Sequence, residues 1–198
     1  MDLRTEPATA LSHYRESSGR SDALRAHYGV DQSDKARLSA ILDDAFGDAP
    51  IDLVIDDASH VYGPTVASFE AIFPRLRPGA LYIVEDWDAS HVFAAGIQKV
   101  LADPTHPQYP AAVASQRADH PLFNAVREGA PSPELGRFAM QAALMAAGTR
   151  DLVREVRVRS NWIILERGSA SIDAATARID ELACDRFRVL RPLAETSP

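Results

Sequence analysis

Two short polar stretches, Asp56-Asp57-Ala58-Ser59-His60 and Glu85-Asp86-Trp87, each follow an apolar run. Between them they hold four carboxylates and one imidazole. Unpaired carboxylates gathered in one cleft repel each other, and their pKa values rise. A divalent cation removes that repulsion. An oxygen-rich site with no thiolate suits Mg²⁺, with Mn²⁺ or Ca²⁺ as substitutes. A hydroxyl bound to such a cation becomes more acidic, and a nearby imidazole can take its proton. The competing reading is structural. Asp and Ser after a strand commonly cap the next helix, and Asp56, Asp57 or Ser59 could do only that ahead of Pro64.

The elements that must position these groups are legible in the surrounding pattern. Ile51–Ile55 reads as a strand, and Ala80–Val84, an almost continuous apolar run, reads as a strand covered on both faces. Between them, Val66, Phe69, Ile72, Phe73 and Leu76 follow helical spacing, with Pro64 in the first turn and Arg77-Pro78-Gly79 as the stop. Two strand–helix units with short connections predict an α/β fold with a parallel pair. Neighbouring parallel strands place their ends ~5 Å apart between backbones, and ligands in such folds sit outside the carboxyl ends.

Upstream, Leu24–Val30 reads as a short strand, and Asp34 as the N-cap of a helix carrying Leu38, Ile41, Leu42 and Phe46. Downstream, residues 88–131 read as loops and short helices that cover a site. Pro133–Ala147 is predicted helical. Leu152–Arg159 alternates valines with arginines, the period of a half-exposed strand, and Trp162–Leu165 follows as its hairpin partner. Ile172–Leu182 reads as a final helix. Trp87 suits either a substrate pocket or core packing. His91, His106 and His120 read as exposed, and Arg154, Arg157 and Arg159 as the solvated face of a strand.

The 198 residues suit a single domain over 1–198, with 46% hydrophobic and 25% charged residues. A net charge of −7 argues against nucleic acid as a partner. No apolar run approaches the ~18 residues of a membrane span, and Met1–Glu6 is too polar for a signal peptide. These features point to a cytoplasmic protein with no membrane partner. The lone cysteine, Cys184, excludes an internal disulfide and a thiolate metal site.

The stretches from Ile51 to His60 and from Ser68 to Trp87 resemble class I S-adenosylmethionine-dependent methyltransferases. The closest similarity is to the magnesium-dependent macrolide-sugar O-methyltransferases and the cephalosporin hydroxylase-type family. The resemblance covers residues 24–90, and Leu152–Arg167 matches the last two strands of that fold. It implies a Rossmann-like α/β sheet with a C-terminal antiparallel hairpin. It implies Asp57, Glu85 and Asp86 as magnesium ligands and His60 as the general base. Asp31, in a loop resembling the one after the third strand, is implied near the adenine. Asp2 is implied at the ribose, and Asp56 is grouped with them as cofactor-binding. The implied cofactors are S-adenosylmethionine and Mg²⁺, and the implied partner is a small-molecule hydroxyl acceptor such as a natural product or sugar.

One departure stands out. The ten glycines include no Gly-x-Gly pair, so, measured against the family it resembles, the chain is expected to lack the glycine-rich cofactor loop, the first strand and most of the second. An N-terminally truncated domain is therefore expected, with Ile51–Ile55 left as an unpaired edge and room for a homo-oligomer. The alternative to a methyltransferase is a non-catalytic, metal-binding remnant that no longer binds cofactor. A Gly-x-Ser-x-Gly hydrolase elbow is also absent.

Overall fold

The structure is a computed structural model and describes residues 9–19, 24–116, 135–149 and 151–183. Asp2, His120 and Cys184 lie outside the described residues, as do 117–131 of the expected covering segment. In chain order the elements are α1 (Thr9–Ser17), α2 (Lys35–Phe46), β1 (Ile51–Asp56), α3 (Tyr62–Ile72) and β2 (Leu76–Glu85). They continue with α4 (Ala89–Leu101), α5 (Tyr109–Ser115), α6 (Leu135–Gly148), β3 (Val153–Val158), β4 (Trp162–Arg167) and α7 (Ile179–Leu182). A 3₁₀ turn, Phe73–Arg75, joins α3 to β2.

The strands form one sheet in the order β1-β2-β4-β3. β1 and β2 are parallel, and β4 runs antiparallel to both β2 and β3. The fold is thus α/β with a C-terminal antiparallel hairpin.

Register assigns the faces. Val54, Tyr82, Leu165 and Val156 lie in one row, and Asp56, Val84, Ile163 and Val158 in the next. Tyr82, Val84, Ile163 and Leu165 are buried against a helical layer that contributes Phe69, Phe73 and Phe138. Phe69 is the hub: its ring stacks on Phe73 at 4.6 Å and meets Tyr82 and Phe138 edge-on, both at 5.3 Å. Burying an aromatic side chain of this kind stabilises by roughly 1.5–3 kcal/mol. The opposite face carries Leu53, Ile55, Ile83, Glu85, Trp162 and Ile164. There Leu53 and Ile55 are 51% and 55% exposed.

Several sequence expectations change. Leu24–Val30 is not a strand but irregular chain with a single bridge residue at Tyr28. Gly29 turns into the left-handed region at φ 64° and interrupts the run. Helix α3 stops at Ile72, short of Leu76: Phe73 keeps helical backbone, Pro74 has no N–H to continue the ladder, and Phe73–Arg75 tighten into the 3₁₀ turn. Leu76 already belongs to β2, and Arg77-Pro78-Gly79 lies within that strand. The register shift between Ile51↔Leu76 and Leu53↔Leu81 accommodates it, with Gly79 at φ 81°. The last predicted helix shrinks to Ile179–Leu182. Asp173 closes a turn instead, accepting the Ala175 N–H at 2.9 Å through its carboxylate and the Ala177 N–H at 2.9 Å through its carbonyl. Residues 89–101 form a longer helix than the loop-rich reading expects. Asp34 caps α2 as predicted, accepting from the Arg37 N–H at 2.9 Å.

Candidate metal and proton-transfer site

The parallel pairing of β1 with β2 brings the two polar stretches to the same sheet edge. Asp57, His60 and Asp86 each offer one ligand atom, and these atoms all lie within 4.8 Å of one another. Asp57 and Asp86 are exposed and His60 is half-buried. His60 and Asp86 both adopt left-handed backbone, at φ 51° and 50°. That conformation is uncommon for a non-glycine residue, although Asp and His are among those that tolerate it. Two such residues fall in one three-residue cluster, and the surrounding structure must hold them there.

One contact of the His60 ring assigns its tautomer. Its Nδ1 lies 3.3 Å from the Glu85 carbonyl oxygen. A carbonyl only accepts, so Nδ1 carries the hydrogen and donates. In the neutral ring Nε2 is then the free base, 3.8 Å from an Asp57 carboxylate oxygen. Protonation at Nε2 places the new positive charge beside that carboxylate.

Glu85 stands apart from the cluster. As the last residue of β2 it alternates with the buried Val84, so its side chain belongs to the opposite face, beside Trp162 in register. Its backbone carbonyl reaches His60. The capping alternative for Asp57 and Ser59 is not what the structure shows. The N-cap of α3 is Val61, with no side-chain cap hydrogen bond.

Asp56 turns inward and is 8% exposed. Ser68 Oγ donates to it at 2.6 Å, Tyr82 Oη at 2.9 Å and Gln32 Nε2 at 2.6 Å. Burial raises its pKa, opposed first by the Ser68 hydrogen bond and then by that of Tyr82. Tyr82 is fully buried, which together with the Asp56 charge holds its hydroxyl well above the ordinary 10.0, so it remains a donor. Asp31 is exposed. Its carboxylate accepts from Ser33 Oγ at 2.7 Å and from the Ser33 N–H at 2.8 Å, and both bonds lower its pKa.

A cavity of about 570 Å³ opens beside the cluster. Val30, Leu38, Val54 and Ile72 line it with apolar side chains, and Asp31, Gln32, Asp56 and Asp57 add polar ones. Trp87 is half-buried against the core, and its indole N–H donates to the Arg159 carbonyl at 2.8 Å. It ties the loop after β2 to the hairpin.

Gln32, Ser68 and Tyr82 escaped the sequence reading. A hydroxyl inside the apolar run Ala80–Val84 is a usable signal, because a buried tyrosine needs a partner. Gln32 carries no such mark.

No protein-family profile matches the chain. Similarity to curated proteins is local. The chain is 54% identical over 68 residues to 8-demethyl-8-alpha-L-rhamnosyl tetracenomycin-C 2'-O-methyltransferase of Streptomyces olivaceus, covering 34% of this chain and 17% of that protein. It is 38% identical over 78 residues to demethylmacrocin O-methyltransferase of Streptomyces fradiae, covering 31% and 20%. The matched stretch spans a fifth or less of these relatives. Among solved structures, MycE methyltransferase from the mycinamycin biosynthetic pathway, in complex with Mg and SAH, aligns at a TM-score of 0.41. That alignment has 25% identity and covers 77% of this chain and 31% of that one. In sequence, the chain resembles O-methyltransferases of macrolides and sugar-bearing natural products.

Proposed function

We propose that the chain carries the metal and proton-transfer half of an S-adenosylmethionine-dependent O-methyltransferase acting on a hydroxyl of a small natural product or its sugar. The observation that carries this reading is the convergence of Asp57, His60 and Asp86 within 4.8 Å at the ends of adjacent parallel strands. The carboxylates suit a hard cation, with no thiolate beside them, and the imidazole is left free as a base. Asp57 and Asp86 would hold Mg²⁺, and Glu85, the third ligand that the family resemblance implies, would have to turn its side chain from the opposite face to join them. The cation, when bound, lowers the pKa of a coordinated hydroxyl, and S-adenosylmethionine supplies the electrophilic methyl group. His60 accepts the hydroxyl proton at Nε2 while Nδ1 stays anchored on the Glu85 carbonyl. Asp57 offsets the resulting imidazolium charge. The apolar cavity walls suit the flat faces of an adenine, with Asp31 and Asp56 as polar groups in its lining. Asp2 is proposed at the ribose. The net charge of −7 favours a small-molecule acceptor over nucleic acid.

Calorimetric titration with S-adenosylhomocysteine, with and without Mg²⁺, tests the proposal. Binding is expected, together with a Mg²⁺ signal that disappears in Asp57→Asn. In a methyl-transfer assay on a rhamnosylated acceptor, His60→Ala should slow turnover by about 10²–10⁴-fold. Mg²⁺ binding without any S-adenosylhomocysteine binding would make the chain a metal-binding module. Binding of neither would end the reading.

A further inference from the structure

The loop from Asp57 to His60 is held from two sides. On one side His60 Nδ1 donates to the Glu85 carbonyl. On the other stands Gln32, which reaches this loop from the chain ahead of α2. Its Oε1 accepts from the Ser59 N–H at 3.2 Å and from Ser59 Oγ at 2.5 Å. Its Nε2 donates to Asp56 Oδ1 at 2.6 Å and to Ser68 Oγ at 3.2 Å. The Ser59 N–H can only donate, which fixes the orientation of the amide. One neutral side chain therefore links the buried anchor, Asp56 and Ser68, to the residue that lies between Asp57 and His60.

Only an amide of this length does both jobs. A leucine leaves the Ser59 N–H and one Asp56 oxygen without this partner. A glutamate sets a second carboxylate against Asp56. The left-handed backbone of His60 makes the link consequential, since a strained conformation persists only where its surroundings hold it. Gln32 also lines the cavity, so the same side chain faces both the cavity and the cluster.

We propose that Gln32 is a positioning residue that fixes the Asp57–His60 loop and, with it, the tautomer and orientation of His60. The inference rests on reading Asp57 and His60 as the reactive pair. The experiment uses the full chain and the variants Gln32→Leu, Ser59→Ala and their combination. Two readouts are taken: ¹⁵N chemical shifts of the His60 ring in the metal-free chain, at a pH where the ring is neutral, and Mn²⁺ affinity by electron paramagnetic resonance. The natural chain should show a single Nδ1–H tautomer. Gln32→Leu should give a mixture of tautomers and weaken Mn²⁺ by about 10- to 100-fold. Ser59→Ala should give a smaller shift in the same direction. The combination should add to Gln32→Leu only what the loss of the Val61 N–H bond to Ser59 Oγ, at 3.3 Å, contributes, because the Gln32–Ser59 hydroxyl link is already cut.

The His60 signature decides the inference. If it is unchanged in both single variants, the inference is overturned, and if Gln32→Leu does not fold, Ser59→Ala decides alone. The Mn²⁺ titration of the natural chain decides the metal reading separately. A chain that binds no Mn²⁺ but whose His60 tautomer follows Gln32 retains the positioning role and loses the metal.

Discussion

Asp56 closes β1 with its side chain among the helices, and Asp57 follows with its side chain in solvent. The strand's alternation continues across the pair, so adjacent carboxylates enter opposite environments. Asp56 is desolvated, and its pKa rises from the ordinary 3.8. A carboxyl shifted upward on folding contributes its full stabilisation below pH 3.8, and that contribution is lost as pH rises through the folded-state value. Asp56→Asn removes this titration. Urea unfolding at a series of pH values should show the natural chain losing stability relative to Asp56→Asn as pH rises from 3.8 through the raised value. Parallel profiles across that window would show that Asp56 titrates as it does in the unfolded chain. At the same scale, the cluster is read from geometry and not from abundance of acids. Asp52 and Asp43 each pair with an arginine on the surface, at 2.5 and 2.6 Å, and belong to no such cluster.

Elements place these residues through their ends. β2 stops at Glu85 because Asp86 turns left-handed, and Val61, directly after His60, is the N-cap from which α3 starts at Tyr62. The hairpin is closed by Gly168, whose N–H donates to the Leu152 carbonyl at 2.8 Å. A β-carbon there would overlap the Asp151 carbonyl and sit 3.0 Å from the Leu152 carbonyl carbon. Gly168→Ala should therefore cost about 2–3 kcal/mol, seen as a lower midpoint in thermal denaturation. Gly96 in α4 is the opposite case. It is exposed, a β-carbon meets nothing within 4 Å, and its backbone is not left-handed. Gly96→Ala should raise stability by about 0.4–1 kcal/mol through the unfolded chain's entropy. A loss at Gly96 equal to that at Gly168 would contradict the packing described here.

Across the whole molecule, the helical layer covers one face of the sheet, and β1 has a strand neighbour on one side only among the described residues. Leu53 and Ile55 stand exposed on that edge strand. An uncovered apolar edge is a template for pairing with another chain. Light scattering should show association that grows with concentration and is reduced in Leu53→Lys. A monomer at every concentration would show that the edge is protected. No helix among the described residues is long and apolar enough to cross a membrane.

The sequence by itself determined the strand–helix–strand unit from Ile51 to Glu85, the Asp34 cap and the two polar stretches that meet at the strand ends. These follow from local pattern, which side-chain periodicity and backbone propensity write directly into the order of residues. Tertiary structure alone decided which carboxylates join the cluster. Asp57 and Asp86 come together because β1 and β2 pair in parallel, while register sends Glu85 to the opposite face. It also decided that Leu24–Val30 is no strand, since a strand exists only with a partner to complete its hydrogen bonds. Gln32 was illegible for the same reason. Its two functions lie 24 and 27 positions away along the chain, at Asp56 and Ser59. Only folding makes them neighbours.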